Sequence, residues 1–124
     1  MAARPHVLIA TASSNLGQLV DRELRRQGYG THQEPDAAAA CRALAGGDYG
    51  ALVTDAHLAG CHGPSLVHDL RSRGIDTPAV LLIESETTCM REAARVLGGT
   101  RCLAGPDLSR LSLAIASACA DQVV

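Results

Sequence analysis

This sequence predicts an α/β domain built on a doubly wound parallel sheet, and three observations predict it. Short apolar runs alternate with helical patterns along the chain. The runs are nearly continuous, as in strands covered on both faces, where a half-exposed strand would alternate apolar with polar. Glycines stand at most of the junctions, where a helix must stop before the next strand. At 124 residues the chain has room for one hydrophobic core and not for two.

His6-Val7-Leu8-Ile9-Ala10-Thr11 is the first run. Ser13, Ser14 and Asn15 then offer capping side chains, Leu16, Leu19, Val20 and Leu24 recur at helical spacing, and Gly28 ends the helix. Tyr29 to Gln33 is a polar strand suited to a sheet edge. Asp36 caps an alanine-rich helix through Leu44, closed by Gly46-Gly47. Asp48 to Asp55 returns to the centre of the sheet, and its last five residues, Ala51-Leu52-Val53-Thr54-Asp55, end an apolar run in a carboxylate. The carboxyl ends of such strands are where open α/β sheets place their ligands, so Asp55 is expected at the rim of a crevice.

Gly63-Pro64-Ser65 opens a helix carrying Leu66, Val67 and Leu70 and ending at Gly74. Thr77-Pro78 introduces the buried run Ala79 to Ile83. Glu86 to Leu97 is helical, with Met90, Ala93, Ala94 and Leu97 on one side, before Gly98-Gly99 and a fifth strand from Thr100 to Ala104. Asp107 caps the last helix, whose inward face is Leu108, Leu111, Ala114, Ile115 and Ala118. Five strand–helix units joined by right-handed crossovers suit the flavodoxin-like (βα)5 order 2-1-3-4-5, with its crevice between the first and third strands. Residues 1–124 read as a single domain with its core over about 6–120 and no internal repeat or linker.

The composition narrows the function. A formal charge of −2 gives no basic face for nucleic acid, and Arg22, Arg25 and Arg26 are interleaved with Asp21 and Glu23 as on a solvated helix. Cys41, Cys61, Cys89, Cys102 and Cys119 are scattered and free of any C-x-x-C pair, as in a reducing compartment. No run has membrane-spanning length and Met1 to Pro5 lacks a signal-peptide core, so a cytoplasmic protein that engages no membrane is expected. Trp and Phe are missing and Tyr29 and Tyr49 are the only tyrosines, so the core must be aliphatic. No Ser-His-Asp or Cys-His arrangement has the strand–turn–helix setting of nucleophilic catalysis, and an enzyme is not expected.

Four landmarks fall in a fixed order: a helix ending in Gly28-Tyr29 after the first strand, Leu52-Val53-Thr54-Asp55 ahead of a loop with Gly60 and Gly63, Asp76-Thr77-Pro78 before the fourth strand, and Pro106 after the fifth. Over nearly the whole chain this pattern resembles the receiver domain of bacterial two-component response regulators, the CheY-like family. The resemblance implies that Asp55 stands at the phospho-acceptor position. It also implies a Mg²⁺ held by an acidic pair after the first strand, the acceptor and a nearby backbone carbonyl.

This chain departs from that pattern at each supporting position. Thr11 and Ala12 replace the acidic pair, leaving Asp55 and the backbone carbonyl of His57 as Mg²⁺ ligands, a poor set for a hard cation. Ile83 stands where a Ser or Thr contacts the phosphoryl group, Gly105 where a lysine precedes Pro106, and Cys102 where an aromatic reports the switch. Glu84 is a further carboxylate at the rim. The first reading is therefore an atypical, pseudo-receiver that signals through protein–protein contacts without phosphorylation. No cofactor is expected beyond a weak Mg²⁺ candidate at Asp55 and His57. Its partners would be a histidine kinase or a downstream effector, and a homodimer would form through the fourth helix, fifth strand and fifth helix. The second reading is a residual phospho-acceptor that takes phosphate on Asp55 from a histidine kinase.

Two other signals compete. Asp55-Ala56-His57-Leu58-Ala59-Gly60 spells the D-x-H-x-x-G of cobalamin-binding domains, but the Ser-x-Leu and Gly-Gly that should follow are out of order. His57, Cys61, His62 and Asp55, with His68 further on, are zinc or copper ligand types, yet their spacing matches no standard structural site. Ser13, Ser14, Asn15 and Gly17 are explained by helix capping and make no phosphate-binding fingerprint.

Overall fold

The computed structural model describes residues 6–55, 57–58, 61–83, 99–104 and 108–120, with the backbone alone at 57, 61–64 and 104. In chain order the elements are β1 (His6–Ala10), α1 (Ser14–Arg26), β2 (Gly30–Glu34), α2 (Ala37–Gly46), β3 (Ala51–Asp55), β4 (His57–Leu58) and β5 (Cys61–His62). They continue as α3 (Gly63–Ser72), β6 (Ala79–Ile83), β7 (Thr100–Ala104), a 3₁₀ turn over Leu108–Arg110 and α4 (Leu111–Ala120). The five long strands form one sheet in the order β2-β1-β3-β6-β7, parallel throughout. Counted within the sheet this is the expected 2-1-3-4-5 order. The expected helix over Glu86 to Leu97 and the cap at Asp107 lie outside the described residues.

Because successive strand residues face opposite sides, each central strand supplies two cores. Leu8, Ala10, Leu52 and Leu81 pack on one side against Ala40 and Leu44 of α2 and Leu66, Val67 and Leu70 of α3. Val7, Ile9, Val53, Val80 and Leu82 pack on the other side against Val20 and Leu24 of α1 and Leu111 and Ile115 of α4. The continuous apolar runs in the sequence are these two faces read together. β2, at the sheet edge, is mostly polar and half-exposed, as expected.

Helix ends follow their capping chemistry. Ser13 Oγ accepts from the Leu16 N–H at 3.2 Å, and Asp36 Oδ1 accepts from the Ala39 N–H at 2.8 Å. At the end of α1, Gly28 takes φ +94°, a conformation L side chains rarely adopt, and the Tyr29 N–H returns to the Leu24 carbonyl at 2.9 Å. One expected core residue is not there: Leu19 is 52% exposed, whereas Gly17, Val20 and Leu24 of the same helix are buried. Gly17 takes the inward position because α1 runs close over the sheet. A Cβ at Gly17 would meet the Gln33 side-chain amide and would lie 3.3 Å from the Thr11 methyl. The last helix also starts later than expected, with Leu108 in the 3₁₀ turn and half-buried, while Leu111, Ile115 and Ala118 form its inward face.

Polar ties hold the edges. Thr31 Oγ1 of β2 donates to Asp21 Oδ1 of α1, and Arg25 Nε donates to both, at 3.0 Å to Asp21 and 3.2 Å to Thr31. The Thr31 hydroxyl, more than Arg25, holds the Asp21 carboxyl below its usual range. At the other edge, Arg101 Nε donates to Ser117 Oγ at 2.9 Å, tying β7 to α4. Cys41, Cys102 and Cys119 are not in disulfides, and burial pushes the Cys119 thiol up, so it stays protonated at neutral pH. Among the described residues no helix is long and apolar enough to cross a membrane.

Candidate functional site at the carboxyl ends of the strands

The parallel register delivers the candidate residues to one rim. Ala10 pairs with Thr54, so β1 and β3 run level and Thr11 follows Ala10 where Asp55 follows Thr54. Asp55 in turn pairs with Leu82, one residue before Ile83, and Ile83 pairs with Ala104. Thr11, Asp55 and Ile83 are thus gathered at the carboxyl end of the sheet, as the sequence predicts. Cys102 lies two residues back from that end, beside Leu81, and is half-buried. Glu84, Gly105 and Pro106 lie outside the described residues.

The surroundings of Asp55 are specific. It is half-buried at the last position of β3, and the fully buried Thr54 donates its hydroxyl to the Asp55 carbonyl at 3.1 Å. Thr11 is buried, its N–H donates to the Glu34 carbonyl at 3.1 Å, and its Oγ1 accepts from the Ser13 N–H at 3.1 Å. That hydroxyl is therefore part of the turn into α1. Ala12 is exposed and offers a methyl, and Ile83 is buried and offers only hydrocarbon. Among the described residues, Asp55 is the one carboxylate at the ends of β1, β3 and β6. Glu34 ends the neighbouring β2, and its carboxylate meets His32 Nε2 at 3.1 Å. Sequence reading passed over Glu34, because a polar edge strand gives no periodic signal for a side chain at the rim.

The stretch after Asp55 holds something the sequence reading treats as plain loop. β4 and β5 form a two-stranded antiparallel ladder in which His57 pairs with His62 and Leu58 with Cys61. The signal for it was the two-residue Ala59-Gly60 link between short β-compatible pairs. Among the described residues no three or more His, Cys, Asp or Glu side chains gather as a metal site. A groove of about 780 Å³ lies between α2 and α3, lined among others by Ala37, Cys41, Arg42, Leu66, His68 and Asp69. Thr11, Ala12, Asp55 and Ile83 do not line it.

Comparison with known proteins places this architecture. No protein-family model matches the chain. The receiver domain of Francisella response regulator 1452 is 21% identical, with a TM-score of 0.84 over 96% of this chain and 99% of that one. The signal receiver domain of an HD domain-containing protein from Pseudomonas fluorescens Pf-5 is 26% identical, with a TM-score of 0.84 over 98% of this chain and 91% of its own. FixJ-N is 18% identical at a TM-score of 0.83, over 100% of this chain and 98% of that one. Protein PetR of Rhodobacter capsulatus is 36% identical over 81 residues, which is 65% of this chain but 34% of PetR. The match thus spans about a third of that curated relative. The class the fold defines is the doubly wound, five-stranded parallel α/β domain. Within it, this chain has the fold of a CheY-like response-regulator receiver domain, with Asp55 at the carboxyl end of the third strand of the sheet.

Proposed function

We propose that this receiver domain acts as a phosphorylation-independent signalling module, a cytoplasmic, non-enzymatic domain that works through protein–protein contacts. The observation that carries this reading is Thr11. Where the family resemblance expects an acidic pair, Thr11 is buried and its Oγ1 already accepts the Ser13 N–H, while Ala12 has no ligand atom in its side chain. Transfer of a phosphoryl group to a carboxylate brings two anionic centres together, and Mg²⁺ or fixed cations must neutralise them. Of the ligand positions that the family resemblance implies, Asp55 and the His57 carbonyl remain, a set that fits Mg²⁺ poorly, since that ion demands near-octahedral oxygen ligation and is reluctant to shed its waters. The Ile83 side chain has no group to hydrogen-bond a phosphoryl oxygen. Asp55 then serves as a strand-end carboxylate at the rim of the sheet.

A residual phospho-acceptor is the second reading, favoured by the position of Asp55 at the carboxyl end of the third strand of the sheet. Incubation with acetyl phosphate or beryllofluoride and Mg²⁺, followed by intact mass and amide NMR, separates the two. The proposal expects no adduct and no Mg²⁺-dependent shifts around Asp55. A stoichiometric adduct that disappears in Asp55→Asn overturns it.

The partner would be a histidine kinase or a downstream effector protein, or a second copy of the chain. The described part of the proposed contact face is β7 with α4, where Leu113 is 65% exposed beside Arg101 and Arg110. A dimer through this face should be broken by Leu113→Glu in light scattering. A dimer that persists unchanged in that variant moves the interface elsewhere.

A further inference from the structure

We propose that β2 is a self-complementary edge on which a second copy of this chain docks, strand against antiparallel strand, about a two-fold axis at Gln33. β2 is the outer strand of the sheet and is paired on one side, with β1. The Glu34 carbonyl accepts the Thr11 N–H at 3.1 Å. Backbone groups of successive strand residues point to opposite sides of the strand, so Gly30, His32 and Glu34 bond towards β1. The N–H and C=O groups of Thr31 and Gln33 point outward, where no strand pairs with them among the described residues.

Proteins blunt such an edge with charge or with proline, and Pro35 ends this one. The charges of β2 nevertheless suit a second β2. His32 and Glu34 lie two residues apart on one face, with Nε2 and Oε1 3.1 Å apart. Tyr49 is the other titratable group beside His32, at 6.3 Å between ring centroids, with His6 at 6.2 Å on from Tyr49. An axis at Gln33 sets His32 of each copy directly opposite Glu34 of the other. With the imidazoles protonated, the four side chains close a quartet of alternating sign, and opposite charges at opposed positions stabilise a strand pair. Gln33 then exchanges both backbone hydrogen bonds with its copy, and the Thr31 N–H meets the Pro35 carbonyl, so the absent proline N–H is the one bond missing at each end. An axis at Thr31 would instead set His32 opposite Gly30, and an axis at His32 would set it opposite itself. The charges therefore choose the register. This edge is across the sheet from β7, so the interface is separate from the contact face proposed above.

The test is sedimentation equilibrium of the tag-free chain carrying Leu113→Glu, which takes the other face out of the result, at about pH 6, where histidine carries charge. A pair of five-residue strands is small beside the about 1,200–2,000 Å² of stable interfaces, so a weak, reversible monomer–dimer equilibrium is expected. Glu34→Lys and His32→Glu should each weaken it by about tenfold or more, because the two-fold axis makes one substitution break two pairs. The His32→Glu/Glu34→Lys double variant reverses both signs and should restore association. Gln33→Cys tests the axis itself. Opposed hydrogen-bonded residues have Cα atoms about 5.5 Å apart, within disulfide reach, so mild oxidation should link position 33 to position 33, identified by peptide mass. Circular dichroism checks the fold of each variant, and the cross-link decides the matter where a charge variant does not fold. A chain that stays monomeric, parental association in Glu34→Lys, a double variant that fails to recover, or no link between the two positions 33 overturns the proposal.

Discussion

Leu24 and Leu19 lie five residues apart on α1, and the same substitution at the two should have very unequal consequences. Leu24 is 0% exposed, in the core with Val7, Ile9, Val20, Tyr29 and Leu111, while Leu19 is 52% exposed. Leu24→Ala removes the transfer energy of the deleted atoms and leaves a cavity between α1 and a sheet that cannot close on it. Together these cost about 3 kcal/mol. Leu19→Ala removes little buried area and gains slightly in helix propensity, so its effect stays within about 0.5 kcal/mol. The larger loss is about a third of the stability of an ordinary domain near 10 kcal/mol. With a urea m-value of about 1.5 kcal/mol/M, it lowers the midpoint by about 2 M. Urea titrations followed by far-ultraviolet circular dichroism read both midpoints. If Leu19→Ala falls as far as Leu24→Ala, the inward face of α1 has been assigned to the wrong residues.

Three further outcomes follow from the same geometry. Thr11→Asp/Ala12→Asp should gain Mg²⁺ binding that Asp55→Asn removes again, read by Mg²⁺-dependent amide shifts at the ends of β1 and β3; no gain would show that the acidic pair is not what the rim lacks. The folded-state carboxyl of Asp21 is depressed, so its contribution to stability is present above the unfolded value of about 3.9 and is lost as pH falls through the lower folded value. Thr31→Val should bring the Asp21 carboxyl back up, measured by carboxyl NMR, and flatten the fall in stability across that acid range. Gly17→Ala should be poorly tolerated because of the Gln33 amide. In a Gln33→Ala background the loss should shrink, with the Thr11 methyl at 3.3 Å left as the tight contact; equal effects in both backgrounds would remove Gln33 as the cause.

The fold was legible in the sequence because its signals agree. The continuous apolar runs at Val7 to Ala10, Leu52 to Thr54 and Ala79 to Ile83 could be satisfied only by strands covered on both faces, and Ser13, Asp36 and Gly28 mark helix ends by their own chemistry. What failed was residue assignment within a correct element. Helical periodicity gives a stripe about a third of the helix wide, and both Leu19 and Gly17 lie near its margins. The stripe cannot tell that a close approach to the Thr11 methyl and the Gln33 amide would favour the glycine. That information belongs to β1 and β2, not to α1. Glu34 was missed for a related reason, since its place at the rim comes from pairing with Ala10 across the sheet.

The rim itself was half legible. Register alone carries Thr11, Asp55 and Ile83 to one end of the sheet, so their convergence follows from topology once the strands are known. The state of each group does not follow. That Thr11 Oγ1 is engaged by the Ser13 N–H is a fact about a turn, and it turns a weak potential ligand into a structural hydroxyl. The hairpin beyond Asp55 works in the opposite direction. Read as a loop, His57, Cys61 and His62 are three loosely related residues; paired as β4 and β5, His57 stands opposite His62 and Cys61 opposite Leu58 in the backbone register. At the centre where family resemblance expects cation chemistry the described ligands are too few.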